Sequence, residues 1–121
     1  MMKGLKMATL ALAFAGPGVA WAQVNADVAC EPVDGQQRFV YDCEIMLSEQ
    51  GKPLEGATIQ VGADMPSMPM AHNIAPVTAS ALDEPGRYAA RLKLDMAGEW
   101  ALRLDVSGPV RDRVVEVLNF E

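Results

Sequence analysis

The sequence has little of what most enzymes and nucleic-acid-binding proteins require. It contains one histidine, His72, and therefore no convincing set of nucleophile, base and orienting residue. Ser67 and Ser80 both lack a G-x-S-x-G setting. Basic residues number 10 against 16 acidic ones, and the net charge of −6 disfavours binding to nucleic acid or to an anionic membrane surface. We therefore expect a protein without enzymatic activity.

No apolar run in the sequence is long enough to span a membrane. The run at residues 7–15 is too short, but it follows Lys3 and Lys6 and precedes an Ala-Trp-Ala pattern. This arrangement predicts a secretory signal peptide, residues 1–22, that is cleaved before Gln23. The alternative is an uncleaved N-terminal anchor. We expect residues 23–121 to form a single soluble domain with 8 basic and 16 acidic residues.

Cysteine is also scarce, with Cys30 and Cys43 as the only two. Disulfides persist in exported proteins, and this pair would close a loop of about 14 residues that stabilises the fold by about 3 kcal/mol. A thiol pair for metal or redox chemistry is the alternative. Because the spacing does not resemble a C-x-x-C site, the sequence favours a structural disulfide.

Most of the remaining sequence alternates between apolar and polar residues. Residues 88–104 are rich in good helix formers, but their apolar positions recur every two residues, which indicates strands. The positions predicted to face inward are Phe39, Tyr41, Cys43, Ile45 and Leu47; Ala57, Ile59 and Val61; Tyr88, Ala90, Leu92, Leu94 and Met96; and Trp100, Leu102, Leu104 and Val106.

Turn signals separate these runs at regular intervals. Together with "VNADVAC", "AHNIAPVTASA" and "RVVEVLNF", the runs amount to about seven strands. Short strands at this spacing predict an all-β fold, an antiparallel immunoglobulin-like β-sandwich. We also expect a hairpin from Leu94 to Trp100, turned around Gly98.

The segment "MPSMPMAH" concentrates methionine, proline and the only histidine. Met65, Met68, Met70 and His72 follow the pattern M-x-x-M-x-M-x-H. Proline favours extended conformations in the residue before it and confines the segment to a sheet edge or a loop. In an extended chain alternate side chains share a face, so we expect Met68, Met70 and His72 to point the same way. Met65 falls out of phase, but Pro66 or a turn could bring it back to this face.

Thioether sulfur is a soft, uncharged ligand that selects Cu(I), and imidazole suits copper in either oxidation state. Zinc would need more cysteine, histidine or carboxylate, and calcium would need more oxygen ligands than Asp64 supplies. The alternatives are methionines that fill the core and a histidine without a metal role. The donor types favour a Cu(I) site.

The sequence resembles the YtkA-like and FixH-like domains of exported or membrane-anchored bacterial proteins. The resemblance covers about residues 53–107 and follows their pattern of M-P-x-M-x-M-x-H, then G-x-Y, then M-x-G-x-W. The matching positions are Met65, Pro66, Met68, Met70, His72, Gly86, Tyr88, Met96, Gly98 and Trp100. The resemblance implies an immunoglobulin-like β-sandwich and a role in copper handling or in the assembly of copper-containing oxidases.

These observations predict a soluble periplasmic protein that binds Cu(I) as a chaperone, buffer or donor. Met68, Met70 and His72 would be the principal ligands and Met65 a fourth, and a recipient protein would be the partner. The alternative is a non-catalytic interaction module whose methionine-rich edge docks a membrane or oxidase-assembly partner. A structural sandwich without metal is the third possibility.

Overall fold

The computed structural model describes residues 23–33, 35 and 38–121. The predicted signal peptide, residues 1–22, lies outside this part. All of the regular structure in the described residues is β-strand, and these residues contain no helix long and apolar enough to cross a membrane. The strands are β1 (Val24–Pro32), β2 (Val40–Glu49), β3 (Lys52–Pro53), β4 (Thr58–Asp64), β5 (Asn73–Thr78), β6 (Ser80–Ala81), β7 (Arg87–Lys93), β8 (Gly98–Ser107) and β9 (Asp112–Phe120).

The strands form two antiparallel sheets packed as a sandwich. One sheet has the order β1-β2-β7-β6, with β3 paired to β2, and the other has the order β5-β4-β8-β9. The seven longer strands correspond to the predicted ones, and β3 and β6 add two residues each. The predicted immunoglobulin-like β-sandwich is confirmed.

The core follows the alternation seen in the sequence. On β8, all four positions predicted to face inward are buried, and Trp100, the largest of them, is fully buried. On β7, Tyr88 and Leu92 are buried in the same way, while Arg91 between them is exposed. Period-two alternation therefore identified the buried faces correctly, because a pleated strand sends successive side chains to opposite faces.

The predicted hairpin from Leu94 to Trp100 is wrong. Strands β7 and β8 lie in different sheets, and residues 94–97 cross from one sheet to the other. In this connection the Leu94 N–H donates to the Phe39 carbonyl at 2.9 Å, and the Trp100 indole N–H donates to the Met96 carbonyl at 3.2 Å. The apolar faces of β7 and β8 meet across the core. Alternation alone does not distinguish this arrangement from a hairpin.

The predicted disulfide is confirmed. Cys30 on β1 lies directly opposite Cys43 on β2, and their sulfur atoms are bonded, with 4.0 Å between the Cα atoms. Because the chain has only these two cysteines, the bond leaves no free thiolate to bind a metal.

Outward-facing charges pair across neighbouring strands. Arg91 on β7 lies opposite Asp42 on β2 and donates two hydrogen bonds to its carboxylate, at 2.7 and 3.0 Å. The hydrogen-bonded guanidinium lowers the pKa of Asp42 below its ordinary value. Arg113 on β9 lies opposite Asp105 on β8 and donates one hydrogen bond to its carboxylate, at 2.6 Å. Cross-strand pairs of this kind support the register of a sheet.

Candidate metal site in the loop between β4 and β5

The methionine-rich segment is the connection between β4 and β5, and we call residues 65–72 the Met loop. It is closed at its base, where the Met65 N–H donates to the His72 carbonyl at 3.0 Å. The next residue, Asn73, donates from its side-chain amide to the Pro69 carbonyl at 2.9 Å. These contacts give a segment at the tip of a β-hairpin a defined shape.

The Met loop consists of turns and is not extended. The Met68 N–H donates to the Met65 carbonyl at 2.9 Å and the Ala71 N–H donates to the Met68 carbonyl at 3.2 Å, which closes two successive four-residue turns. Pro66 and Pro69 each occupy the second position of their turn, where the φ value of proline is preset for turning. The expectation of an extended segment is therefore wrong, and the repeated Met-Pro dipeptide was the signal for the turns.

A third hydrogen bond brings Met68 and His72 together. The His72 N–H donates to the Met68 carbonyl at 3.0 Å, which closes one turn of helical type. The backbone therefore returns from Met68 to His72 within one turn, whereas an extended chain would have placed these two residues two pleats apart.

The three methionines of the loop differ sharply in exposure. Met68 is 43% exposed and Met70 is 93% exposed. Met65 is 5% exposed and belongs to the hydrophobic core. Its methyl carbon lies 2.9 Å from the position that a Cβ on Gly98 would occupy. The loop thus offers two thioethers to solvent and sets the third against the first residue of β8.

His72 contacts the connection between β7 and β8. Its side chain is 26% exposed, and its Nδ1 lies 2.9 Å from the Oδ2 atom of Asp95. Sequence reasoning did not identify Asp95, because 23 residues separate it from His72 and no spacing motif relates the two. The crossover at residues 94–97 brings them together.

The other carboxylate beside the loop is already engaged. Asp64, the last residue of β4, forms an ion pair with Arg103 on β8. Within the part of the chain that the structure describes, no three His, Cys, Asp or Glu side chains come together in a group that could hold a metal ion without thioether ligands. The donor set that the loop presents is two exposed thioethers and one imidazole, which fits a soft ion such as Cu(I).

The fold and the loop define a class of protein: an immunoglobulin-like sandwich that carries a methionine- and histidine-containing turn at one end. More particularly, the chain belongs to the YtkA-like family, whose model matches residues 20–105. The resemblance to YtkA-like domains is thus confirmed. No curated protein and no solved structure matches the chain.

Proposed function

We propose that this protein binds Cu(I) in the periplasm and acts as a chaperone, buffer or donor of the ion, without enzymatic activity. Met68, Met70 and His72 are the proposed principal ligands. The proposal rests chiefly on one observation, that the Met loop exposes two thioethers on the same short turn as the only histidine. The predicted signal peptide supports the location.

The exposure of Met68 and Met70 calls for a functional reason. Burying a methionine side chain is worth roughly 1.5–3 kcal/mol, and Met70 at 93% exposure forgoes nearly all of this. Ordinary core packing therefore accounts for Met65 but not for Met70. Coordination of a soft ion is one role that requires sulfur at an accessible position.

The chemistry of the donors suits a protein that passes copper on. Thioethers and neutral imidazole carry no charge, so they hold Cu(I) without the strong attraction of thiolates. Both cysteines of the chain are joined in the disulfide, so thiolates do not compete with the loop. An exposed three-ligand site also leaves the ion open to a ligand from a recipient protein.

An anaerobic competition titration against a chromophoric Cu(I) chelator tests the proposal. We expect residues 23–121 to bind one equivalent, and the Met68→Leu/Met70→Leu variant and the His72→Ala variant to lose this binding. Met46→Leu is the matched control, because Met46 lies on β2 outside the loop and is partly buried. Absence of competition by the folded parent protein would reject the copper function.

The exposed thioethers also favour a second candidate, an interaction module. Met68 and Met70 lie next to β5, an edge strand of its sheet, and methionine surfaces adapt to apolar partners. A membrane or oxidase-assembly protein would dock on this edge. Such docking does not require imidazole. This candidate would be favoured if His72→Ala bound the partner as well as the parent protein does, and if the parent protein did not bind Cu(I).

A further inference from the structure

We propose that Asp95 positions His72 for copper by holding the imidazole proton on Nδ1, which assigns metal binding to Nε2. The inference rests on the proposed Cu(I) function and specifies which atom of the histidine is the ligand. Asp95 would act through His72 and would not itself touch the metal. It is therefore a positioning residue.

With Asp95 ionised, the contact fixes the direction of the hydrogen bond. The His72 Nδ1 atom is 2.9 Å from Asp95 Oδ2, and an ionised carboxylate only accepts hydrogen bonds. Nδ1 must then be the donor. A neutral imidazole carries one proton, so Nε2 keeps a free lone pair on the far side of the ring from the carboxylate. Histidines that bind metals commonly donate their other ring N–H to a carboxylate in this way.

Hydrogen bonds outside the Met loop hold the connection on both sides of Asp95. Its neighbour Leu94 donates a backbone hydrogen bond to Phe39, and the fully buried Trp100 donates to the Met96 carbonyl. Hydrogen bonds on both sides of Asp95 therefore anchor the connection. The Asp95 side chain itself is 54% exposed, so replacing it should leave the core intact.

The sharpest test uses the fact that His72 is the only histidine. In uniformly ¹⁵N-labelled residues 23–121, the two ring nitrogens give signals that need no further assignment to a residue. At pH 8.5, long-range ¹H–¹⁵N spectra identify the ring nitrogen that carries the proton. Cu(I) is diamagnetic, so an anaerobic titration with Cu(I) then identifies the nitrogen that binds it.

We expect the proton on Nδ1 before and after Cu(I) is added, and the change in chemical shift on Nε2. In Asp95→Ala the fixed tautomer should be lost, and Cu(I) affinity should fall about 10- to 100-fold. Asp95→Asn should retain part of the affinity, because its side-chain oxygen still accepts a hydrogen bond. Asp83→Ala is the matched control: it removes one exposed carboxylate from the turn before β7, at the opposite end of the sandwich.

The outcomes separate this inference from the proposed function. Cu(I) bound with undiminished affinity by Asp95→Ala, or bound through Nδ1 in the parent, would overturn the role of Asp95 while leaving the copper function in place. Failure of the parent to bind Cu(I) would reject the copper function and the ligand role of Nε2 together. If the contact between His72 and Asp95 were merely structural, Asp95→Ala would change neither the tautomer of His72 nor the nitrogen that binds Cu(I).

Discussion

Met65 packs against Gly98 and anchors the Met loop in the core. Met65 is buried, whereas Met68 and Met70 are exposed, so three chemically identical side chains have different surroundings. The sequence pattern predicted Met65 as a fourth copper ligand. Its burial against Gly98 favours a packing role, in which the side chain anchors the loop.

Met65→Leu decides between the packing role and the ligand role. Leucine has a similar volume, and such exchanges in a core usually cost less than about 1.5 kcal/mol. We expect Cu(I) affinity to stay at the parental value in the competition titration, whereas Met68→Leu should lower it. A loss of affinity in Met65→Leu comparable to that in Met68→Leu would show that the buried sulfur is a ligand.

We expect Gly98→Ala to disrupt the contact between Met65 and Gly98 and to lower the stability of the protein. Gly98 has a φ of +133°, and an added Cβ would lie 2.9 Å from the Met65 methyl carbon. A side chain in such a backbone conformation costs about 1–3 kcal/mol, and the crowding of Met65 adds to this cost. Urea unfolding monitored by circular dichroism measures the change in free energy.

Gly51→Ala is the control for Gly98→Ala. Gly51 also has a positive φ, +77°, but no atom lies within 4 Å of its added Cβ. This variant therefore carries backbone strain without crowding. If both variants lost the same stability and bound Cu(I) equally well, the Met65–Gly98 contact would have no role in holding the loop.

At the scale of elements, two features shape the site: the pair of proline-containing turns and the crossover between β7 and β8. The turns join His72 to Met68 through a backbone hydrogen bond, and the crossover supplies Asp95. Neither feature uses the disulfide, which joins β1 to β2. The disulfide and the proposed copper site should therefore be separable by mutation.

Removing the disulfide should lower stability without affecting copper. We expect Cys30→Ala/Cys43→Ala to lose about 3 kcal/mol of unfolding free energy, because the open chain regains the entropy of the closed loop. Urea titrations of the variant and of the chemically reduced parent should agree. Cu(I) affinity should be unchanged in the Cys30→Ala/Cys43→Ala variant, which has no thiols, and a loss of affinity there would mean that the cysteine region supports the site.

At the scale of the whole molecule, one core unites the two sheets. Buried residues from β2 and β7 in one sheet and from β4 and β8 in the other belong to a single cluster. Trp100 lies in this cluster, fully buried, and also donates to the connection that holds Asp95. The stability of the core and the geometry of the site are therefore linked.

We expect residues 23–121 to unfold in a single cooperative transition. Trp100 is the only tryptophan in this range, so its fluorescence reports on the core, while circular dichroism reports on the sheets. The two urea curves should coincide, as they do for small single domains. A fluorescence transition at lower urea would show instead that the end of the sandwich near the Met loop opens before the sheets separate.

The sequence by itself determined the features that depend on neighbours along the chain. Period-two alternation identified the buried residues of β7 and β8, because pleating links position to face. The types of donor in the Met loop and the pairing of Cys30 with Cys43 were also predicted from residue type and context. The turns at Pro66 and Pro69 were within reach of sequence reasoning, since proline presets their φ values.

Only the tertiary structure decided which distant residues meet. Alternation specifies the buried face of a strand but not its neighbour, so the separation of β7 and β8 into two sheets did not follow from it. Packing against Gly98 distinguishes Met65 from Met68. Asp95 reaches His72 across 23 residues through a crossover that core packing holds in place. These are long-range contacts, and no local pattern encodes them.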